Sequence, residues 1–251
     1  MIARKIRKFR ESLARKAEKL RVDKKIQQLQ SGASFEVGSS DWLRACELKM
    51  GGLTSNVARN IVSALDPRSK QQLATGGMVG GDRMIHHNYA DAYAKHLSRF
   101  IGKDLDLVVV ECGILKGTGL GVWSKLFPQA TLVGLDIDLS YTLGNLNFLK
   151  ERGAFEISDP ILLTFDQFKP DVSELKSAIG SRKIDIVIDD GFHSVETILN
   201  TFDALRELLS DDFVYFAEDN SVVAGELEKK YPDHHISSYG ELTVISSSAQ
   251  S

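Results

Sequence analysis

Two acidic stretches hold most of the residues able to do chemistry. Residues 184–194 read IDIVIDDGFHS and residues 216–220 read FAEDN. Each closes an apolar run, so each delivers a pair of acids to a strand end: Asp189-Asp190 and Glu218-Asp219. Carboxylates so close repel strongly where the dielectric is low. A divalent cation between them is the simplest remedy, and carboxylate oxygens with positions left for water and substrate suit magnesium. Asp190, Glu218 and Asp219 are the expected ligands. Asp189 faces the other way and serves the cofactor side or orients the loop. The competing reading is helix capping, which Asp and Ser favour, although Ser194 would suffice for that. His193 lies three residues past Asp190. A neutral imidazole of ordinary pKa about 6.5 suits a general base beside a metal that binds hydroxyls; a capping or supporting histidine is its competitor. His234 and His235 follow Pro232 in an expected turn and receive no role.

A third stretch, residues 105–140, reads LDLVVVECGILKGTGLGVWSKLFPQATLVGLDIDLS. An apolar run ends at Glu111, a turn carries Gly113, Gly117 and Gly119, and a second run from Thr131 to Leu135 delivers Asp136. Glycines let a ligand lie against backbone N–H groups at a helix start. An acid at the second strand end can accept from both hydroxyls of a ribose. The pair implies a nucleoside-containing cofactor. The turn is neither the GxGxxG of a dinucleotide site nor a phosphate loop, since no GK[ST] ending is present. A tight turn with no ligand is the alternative.

The elements that must position these residues alternate. Strands are expected to end at Glu111, Asp136, within residues 155–165, at Ile188 and at Ala217. Helices are expected over about 118–127, 141–152, 172–179, 194–209 and 222–230, and residues 235–238 and 242–246 read as a closing pair of strands. Strand–helix alternation implies an α/β fold with a mostly parallel, doubly wound sheet. Ligands of such sheets bind at the carboxyl ends of the strands, where every acid above falls. Upstream, the spacing predicts helices over residues 1–30, 41–66 and 82–101. Gly76, Gly77, Gly80 and Gly81 form an expected flexible lid or linker. The division is a helical N-terminal region, residues 1–79, and a Rossmann-like domain, residues 80–251.

Bulk properties narrow the class. The chain has 251 residues, with 43% hydrophobic and 26% charged, ordinary for a globular protein. No apolar run approaches the roughly 18 residues of a membrane span. The basic start lacks the apolar core of a secretory signal. Cys46 and Cys112 have no zinc-like or disulfide spacing, and a reducing cytosol fits them. Residues 1–25 hold eleven Lys/Arg against three Asp/Glu, an excess of eight, so with −3 overall the remainder stands at −11. An acidic body argues against nucleic acid as main substrate. Residues 1–30 are a basic amphipathic arm with three open readings: contact with an anionic membrane surface, pairing with another subunit in a homo-oligomer, or a solvated tail.

ECGILKGTG fits the E/DxGxxxGxG turn of class I S-adenosylmethionine-dependent methyltransferases. The further motifs resemble the metal-dependent O-methyltransferases that tailor macrolide deoxysugars (the mycinamicin type). Those enzymes carry DDGSH, an ED pair, DKxxxHGY, WxxxFP and GDQ. Their counterparts here are Asp189-Asp190-Gly191-Phe192-His193, Glu218-Asp219, Asp82-Arg83 with His87-Asn88-Tyr89, Trp123 with Phe127-Pro128, and Phe165-Asp166-Gln167. The resemblance covers about residues 80–246. It implies methyl transfer from S-adenosylmethionine to a sugar hydroxyl, assisted by Mg2+ on Asp190, Glu218 and Asp219, with His193 as base. Glu111, Gly113, Gly117, Asp136, Asp166, Gln167 and Asp189 would form the cofactor side; His87, Tyr89 and Phe192 would border the acceptor. The acceptor would be a natural-product deoxysugar, or a glycan or lipid-linked sugar. A phenolic or catechol-like acceptor and a non-catalytic cofactor-binding module are the alternatives. Phe192 for serine, Asn88 for glycine and Arg83 for lysine depart from the pattern, and residues 1–79 match no part of it.

Overall fold

The computed structural model describes Leu20 and residues 24–29, 34–75, 78–102 and 107–247. Most of the basic arm and the Gly76-Gly77 pair lie outside them. Residues 24–29 are helical, as expected, and Lys25 Nζ lies 2.6 Å from Asp41 Oδ1. Helix α1 (Ser40–Lys49) starts where the Ser39 side chain accepts from the Trp42 N–H. Strand β1 (Thr54–Val57), helix α2 (Lys70–Ala74) and strand β2 (Met78–Gly80) follow, then helix α3 (Ala90–Leu97). β1 and β2 pair antiparallel.

The main sheet begins at β3 (Val108–Cys112). After it come α4 (Thr118–Leu126), β4 (Thr131–Asp136), α5 (Ser140–Glu151), β5 (Ile161–Thr164), α6 (Ser173–Ile179), β6 (Ile184–Asp189), α7 (Val195–Leu205), β7 (Leu209–Ala217), α8 (Val223–Lys230), β8 (His234–Tyr239) and β9 (Leu242–Ser247). The strand order is β5-β4-β3-β6-β7-β9-β8. All pairings through β7 are parallel, and β9 runs antiparallel to both neighbours. The expected doubly wound α/β sheet with an antiparallel C-terminal strand is therefore borne out. The order reverses between β3 and β6, and that switch point is where such sheets open a crevice.

Every residue of β3 is buried, as a strand covered on both faces requires. Val109, Ile186, Ile188 and Phe216 face a core shared with Leu43, Met50, Tyr93 and Trp123 of the N-terminal helices and α4. Val108, Val110, Val187 and Tyr215 face Ile198 and Phe202 of α7. The period-two alternation of the strands thus assigns each strand-end acid to a face.

Two upstream expectations fail. The helix expected over 41–66 stops at Lys49, because Gly51 (φ +89°) and Leu53 (φ +60°) turn the chain into β1. Beyond β1, residues 58–69 have no regular structure. The helix expected over 82–101 begins only at Ala90, since Asn88 sits at φ +61° and residues 82–89 form an irregular loop. That conformation favours glycine and, next, asparagine, which accounts for Asn88 where the resembling enzymes have glycine.

Leu43 is fully buried between α1 and the rest of this core. Leu43→Ala is expected to destabilise the chain by about 2–5 kcal/mol in chemical denaturation, with one cooperative transition. A cost below about 0.5 kcal/mol would mean that α1 does not share the core.

Candidate functional site at the strand ends

Two cavities open at the switch point. The first, about 140 Å³, is lined by Gly113, Asp136, Asp166, Gln167, Phe192 and His193, among others. The second, about 410 Å³, is lined by Arg83, His87, Glu111, Gly113, Asp190, His193 and Asp219, among others. Gly113 and His193 border both, so the cavities meet at the glycine turn.

The first cavity holds the predicted nucleoside features. Gly113 has φ +84°, and a Cβ there would lie 2.0 Å from the Asp190 carbonyl oxygen, so only glycine lets the two strand ends approach. Asp136 Oδ2 accepts the Leu115 N–H at 3.0 Å and Oδ1 accepts the Asp138 N–H at 3.0 Å. Asp166 Oδ1 accepts the Phe168 N–H at 3.0 Å. Gln167 lines this cavity while its side chain reaches behind it, to Asp189 at 2.6 Å and Thr201 at 2.9 Å. Gly117 lines neither cavity. It is the left-handed cap of α4 (φ +76°) and packs against Thr142 and Leu149, so it shapes the turn.

Asp189 also lines neither cavity. Alternation along β6 turns it toward α7, where Oδ1 accepts from Gln167 and Oδ2 accepts from the Tyr215 hydroxyl at 2.6 Å. Its burial pushes the carboxyl up to about 7. The structure therefore places Asp189 behind the cavities, bonded to Gln167 and Tyr215.

The second cavity is built around Arg83, whose part in the site was not anticipated. Arg83 Nη2 donates to Glu111 Oε1 and to Asp190 Oδ2, both at 2.8 Å, and Nε lies 2.6 Å from Glu218 Oε1 without hydrogen-bond alignment. The guanidinium lies 5.5 Å from the Trp123 ring centroid, and Trp123 Nε1 donates to Glu111 Oε2 at 3.1 Å. A Cβ on Gly119 would fall 2.0 Å from Glu111 Oε1, so that glycine makes room for the pair. The cue was present in the sequence: four acids demanding positive charge, with an arginine where the resembling motif has lysine.

The three expected metal ligands are placed differently from one another. Asp190, His193 and Asp219 each bring a ligand atom within 4.8 Å of the others. Glu218 stands behind them, fully buried, with Oε1 engaged by Arg83 and by the Tyr93 hydroxyl. Arg83 thus answers part of the repulsion that the sequence reading assigned wholly to a metal. It does not answer all of it. Glu111, Asp190, Glu218 and Asp219 outnumber the guanidinium, and burial with Glu218 nearby holds the Asp190 carboxyl well above its ordinary range. A divalent cation fits this donor set.

His193 is held in a left-handed conformation, φ +63°, and so is Asp219, φ +56°. Its Nδ1 is 3.2 Å from the Glu218 carbonyl oxygen, an atom that can only accept. Nδ1 therefore carries the proton in the neutral ring, and Nε2, 3.7 Å from Asp190 Oδ1, is the basic nitrogen. Burial pushes the His193 pKa down, which favours that neutral form. His87 behaves oppositely: its bond to Asp82 first, with help from Asp219, raises it to about 9. That shift favours the protonated ring on the cavity wall. Tyr89 is buried and its hydroxyl donates to Asp219 Oδ1 at 2.8 Å, so it steadies that acid. Phe192 lines the first cavity rather than the second, its ring 4.7 Å from that of Phe168.

From outside the motifs, α1 sets the loop carrying Arg83 and His87. Both oxygens of buried Glu47 accept the Met84 N–H, at 3.0 and 3.1 Å, and Arg44 Nη2 donates to Asn88 Oδ1 at 3.1 Å.

Strand order and switch-point crevice together define a Rossmann-like, doubly wound fold. No family model matches the chain. Among curated proteins, the 8-demethyl-8-alpha-L-rhamnosyl tetracenomycin-C 2'-O-methyltransferase of Streptomyces olivaceus is 28% identical over 168 residues, which are 63% of this chain and 40% of that protein. The chain thus spans less than half the length of the curated relative it matches. Among solved structures, the MycE methyltransferase of mycinamycin biosynthesis, in complex with Mg and SAH, superposes with TM-score 0.49 at 18% identity over 63% of this chain and 49% of that one. TomG of Streptomyces achromogenes, an O-methyltransferase of tomaymycin synthesis in complex with SAM, gives 0.43 at 16% identity over 57% and 73%. The resemblance to sugar O-methyltransferases read from the motifs reappears in the curated relative. Among the described residues no helix is long and apolar enough to cross a membrane.

Removing Arg83 would strand two buried carboxylates, Glu111 and Glu218, and the half-buried Asp190. Arg83→Met is expected to cost about 3–5 kcal/mol in denaturant unfolding at neutral pH, the usual range for a buried ion pair losing one partner. A loss under about 1 kcal/mol would show that the acids are balanced by something else.

Proposed function

We propose that the chain is an S-adenosylmethionine-dependent O-methyltransferase acting on a sugar hydroxyl with the help of Mg2+. One observation carries the reading: Gly113 and His193 border both a cavity with the nucleoside features and an acidic cavity. A methyl group presented at that junction would meet a hydroxyl held beside His193. The name of the curated relative, a rhamnosyl 2'-O-methyltransferase, supports sugar as the acceptor class.

In this reading the donor's ribose lies at Asp136, its base toward Asp166 and Gln167, and its methionine part along Gly113 and Glu111. The acceptor enters the second cavity past His87. His193 Nε2 takes the hydroxyl proton as the oxygen attacks the methyl carbon, while the Glu218 carbonyl holds Nδ1–H and so fixes the tautomer. Displacement leaves the donor as the neutral thioether and the proton on the imidazole. Asp190 and Asp219 are the cation ligands facing the cavity, with Glu218 behind them under Arg83's hold. A bound Mg2+ would lower the charge on the developing alkoxide. A polar wall of acids and histidines suits a sugar better than a flat phenol, whose ring would need an apolar face.

Two measurements test this. Calorimetry is expected to show binding of S-adenosylhomocysteine, and its absence from folded chain would end the reading. With a deoxysugar-bearing acceptor, His193→Ala is expected to lower kcat by about 10²–10⁴-fold and Asp190→Asn to remove the Mg2+ requirement together with most activity. A His193→Ala loss below about tenfold would contradict the base assignment.

A further inference from the structure

Asp136 ends β4 and Asp166 stands just past neighbouring β5, and one irregular segment touches both. Arg59 Nη1 donates to Asp136 Oδ1 at 3.1 Å, and Ser63 Oγ donates to Asp166 Oδ2 at 2.7 Å. Residues 58–68 are fastened at both ends. The Tyr141 hydroxyl donates to the Ala58 carbonyl, Asn60 Nδ2 donates to the Tyr141 hydroxyl at 2.9 Å, and the Arg68 guanidinium lies 4.7 Å from the Phe192 ring centroid. The segment therefore forms one wall of the first cavity, with Arg59, Ser63, Asp66 and Arg68 in its lining.

The acceptor capacity of Asp136 can be counted. A carboxylate offers about four lone-pair sites, two on each oxygen. Oδ1 accepts from Arg59 and from the Asp138 N–H; Oδ2 accepts from the Leu115 N–H. Both backbone donors are fixed, one by the turn after β4 and one by the glycine turn. One site remains, on Oδ2. A ribose that binds through both hydroxyls needs two, so it must take the site that Arg59 holds. The Arg59 and Asp136 side chains are 11% and 2% exposed, so this is a desolvated ion pair and not a surface contact. The exchange trades a bond between two charged groups for a hydroxyl bond in which only the acceptor is charged.

We propose that Arg59 sets the donor affinity of this site by competing with the ribose for Asp136, and that Ser63 holds Asp166 as part of the same strap. The proposal rests on the donor reading above. Entry of the donor exchanges the Arg59–Asp136 pair for hydroxyl bonds, and the strap's other anchors let it stay across the cavity mouth during the exchange. The strap's second arginine, Arg68, pairs with Asp66 at 2.7 Å and not with Asp136.

The test is calorimetric titration of the full chain with S-adenosylhomocysteine. Arg59→Ala is expected to bind it about tenfold more tightly than the wild type, the difference made by releasing one charge-assisted bond. Arg59→Gln, which keeps the length and loses the charge, is expected to move in the same direction and covers the case in which the alanine variant folds poorly. In an Asp136→Ala background the gain from Arg59→Ala is expected to vanish, since the two then have nothing to share. Unchanged or weaker binding in both Arg59 variants overturns the proposal, as does a gain that persists without Asp136. If the wild type binds and the variants gain nothing, only this proposal falls; if no chain binds although all melt cooperatively, the donor reading falls with it.

Discussion

Arg83 places one positive charge among four carboxylates at the carboxyl ends of β3, β6 and β7, and the site's geometry follows from that imbalance. Glu111, Asp190 and Glu218 are within 2.8 Å of its nitrogens, and Asp219 lies beyond them. Burying charges costs several kcal/mol per ion unless geometry and hydrogen bonds compensate. Arg83 Nη2 donates to two carboxylates while Nε stands beside a third, a spread of positive charge that an ammonium, a point charge, does not offer. Trp123 and Tyr93 add one donor each, to Glu111 and Glu218. Asp219 and the Asp190 oxygen that Arg83 does not hold are left facing the cavity. These are the oxygens a divalent cation would meet, with Arg83 committed to the deeper acids.

The scaffold makes this arrangement affordable in space. Alternation along the strands sends Glu111, Asp190 and Glu218 to the face covered by α1, α3 and α4, and sends Asp189 to the α7 face, where Tyr215 and Gln167 meet it. Gly119 keeps α4 clear of Glu111. The N-terminal helix α1, which belongs to no recognised motif, clamps the backbone of the Arg83 loop through Glu47 and its far end through Arg44. The region before the sheet therefore contributes at both cavities: α1 on the acidic side, and the strap of residues 58–68 on the nucleoside side.

Much of this was legible in the sequence, for a physical reason. Buried parallel strands are unbroken apolar runs that end abruptly in acids, so β4 was expected over Thr131–Asp136 and lies there. The acid positions followed, and so did the opposite orientation of Asp189. What could not be read was contact between segments far apart in the chain. The partner of Glu111 is 28 residues away, that of Asp136 is 77, and that of Asp190 is 107. Helical spacing also misled where tertiary structure overrode it. Val57, Ile61, Val62 and Leu65 sit at helix-like intervals, yet Gly51 and Leu53 turn the chain into β1, and Ile61 and Leu65 end half or more exposed on the strap. Glu218 illustrates a different limit: its position at a strand end was evident, but which way its carboxylate pointed depended on Arg83.

Under the proposed function, the acidic cavity would bind a divalent cation through the acids that Arg83 leaves facing it. Mn2+, a spectroscopic substitute for Mg2+, reports this directly by electron paramagnetic resonance of the free ion. One Mn2+ is expected to bind per chain, displaced by Mg2+ and lost in Asp219→Asn. No bound Mn2+ in the folded wild type, or equal binding in Asp219→Asn, would contradict it.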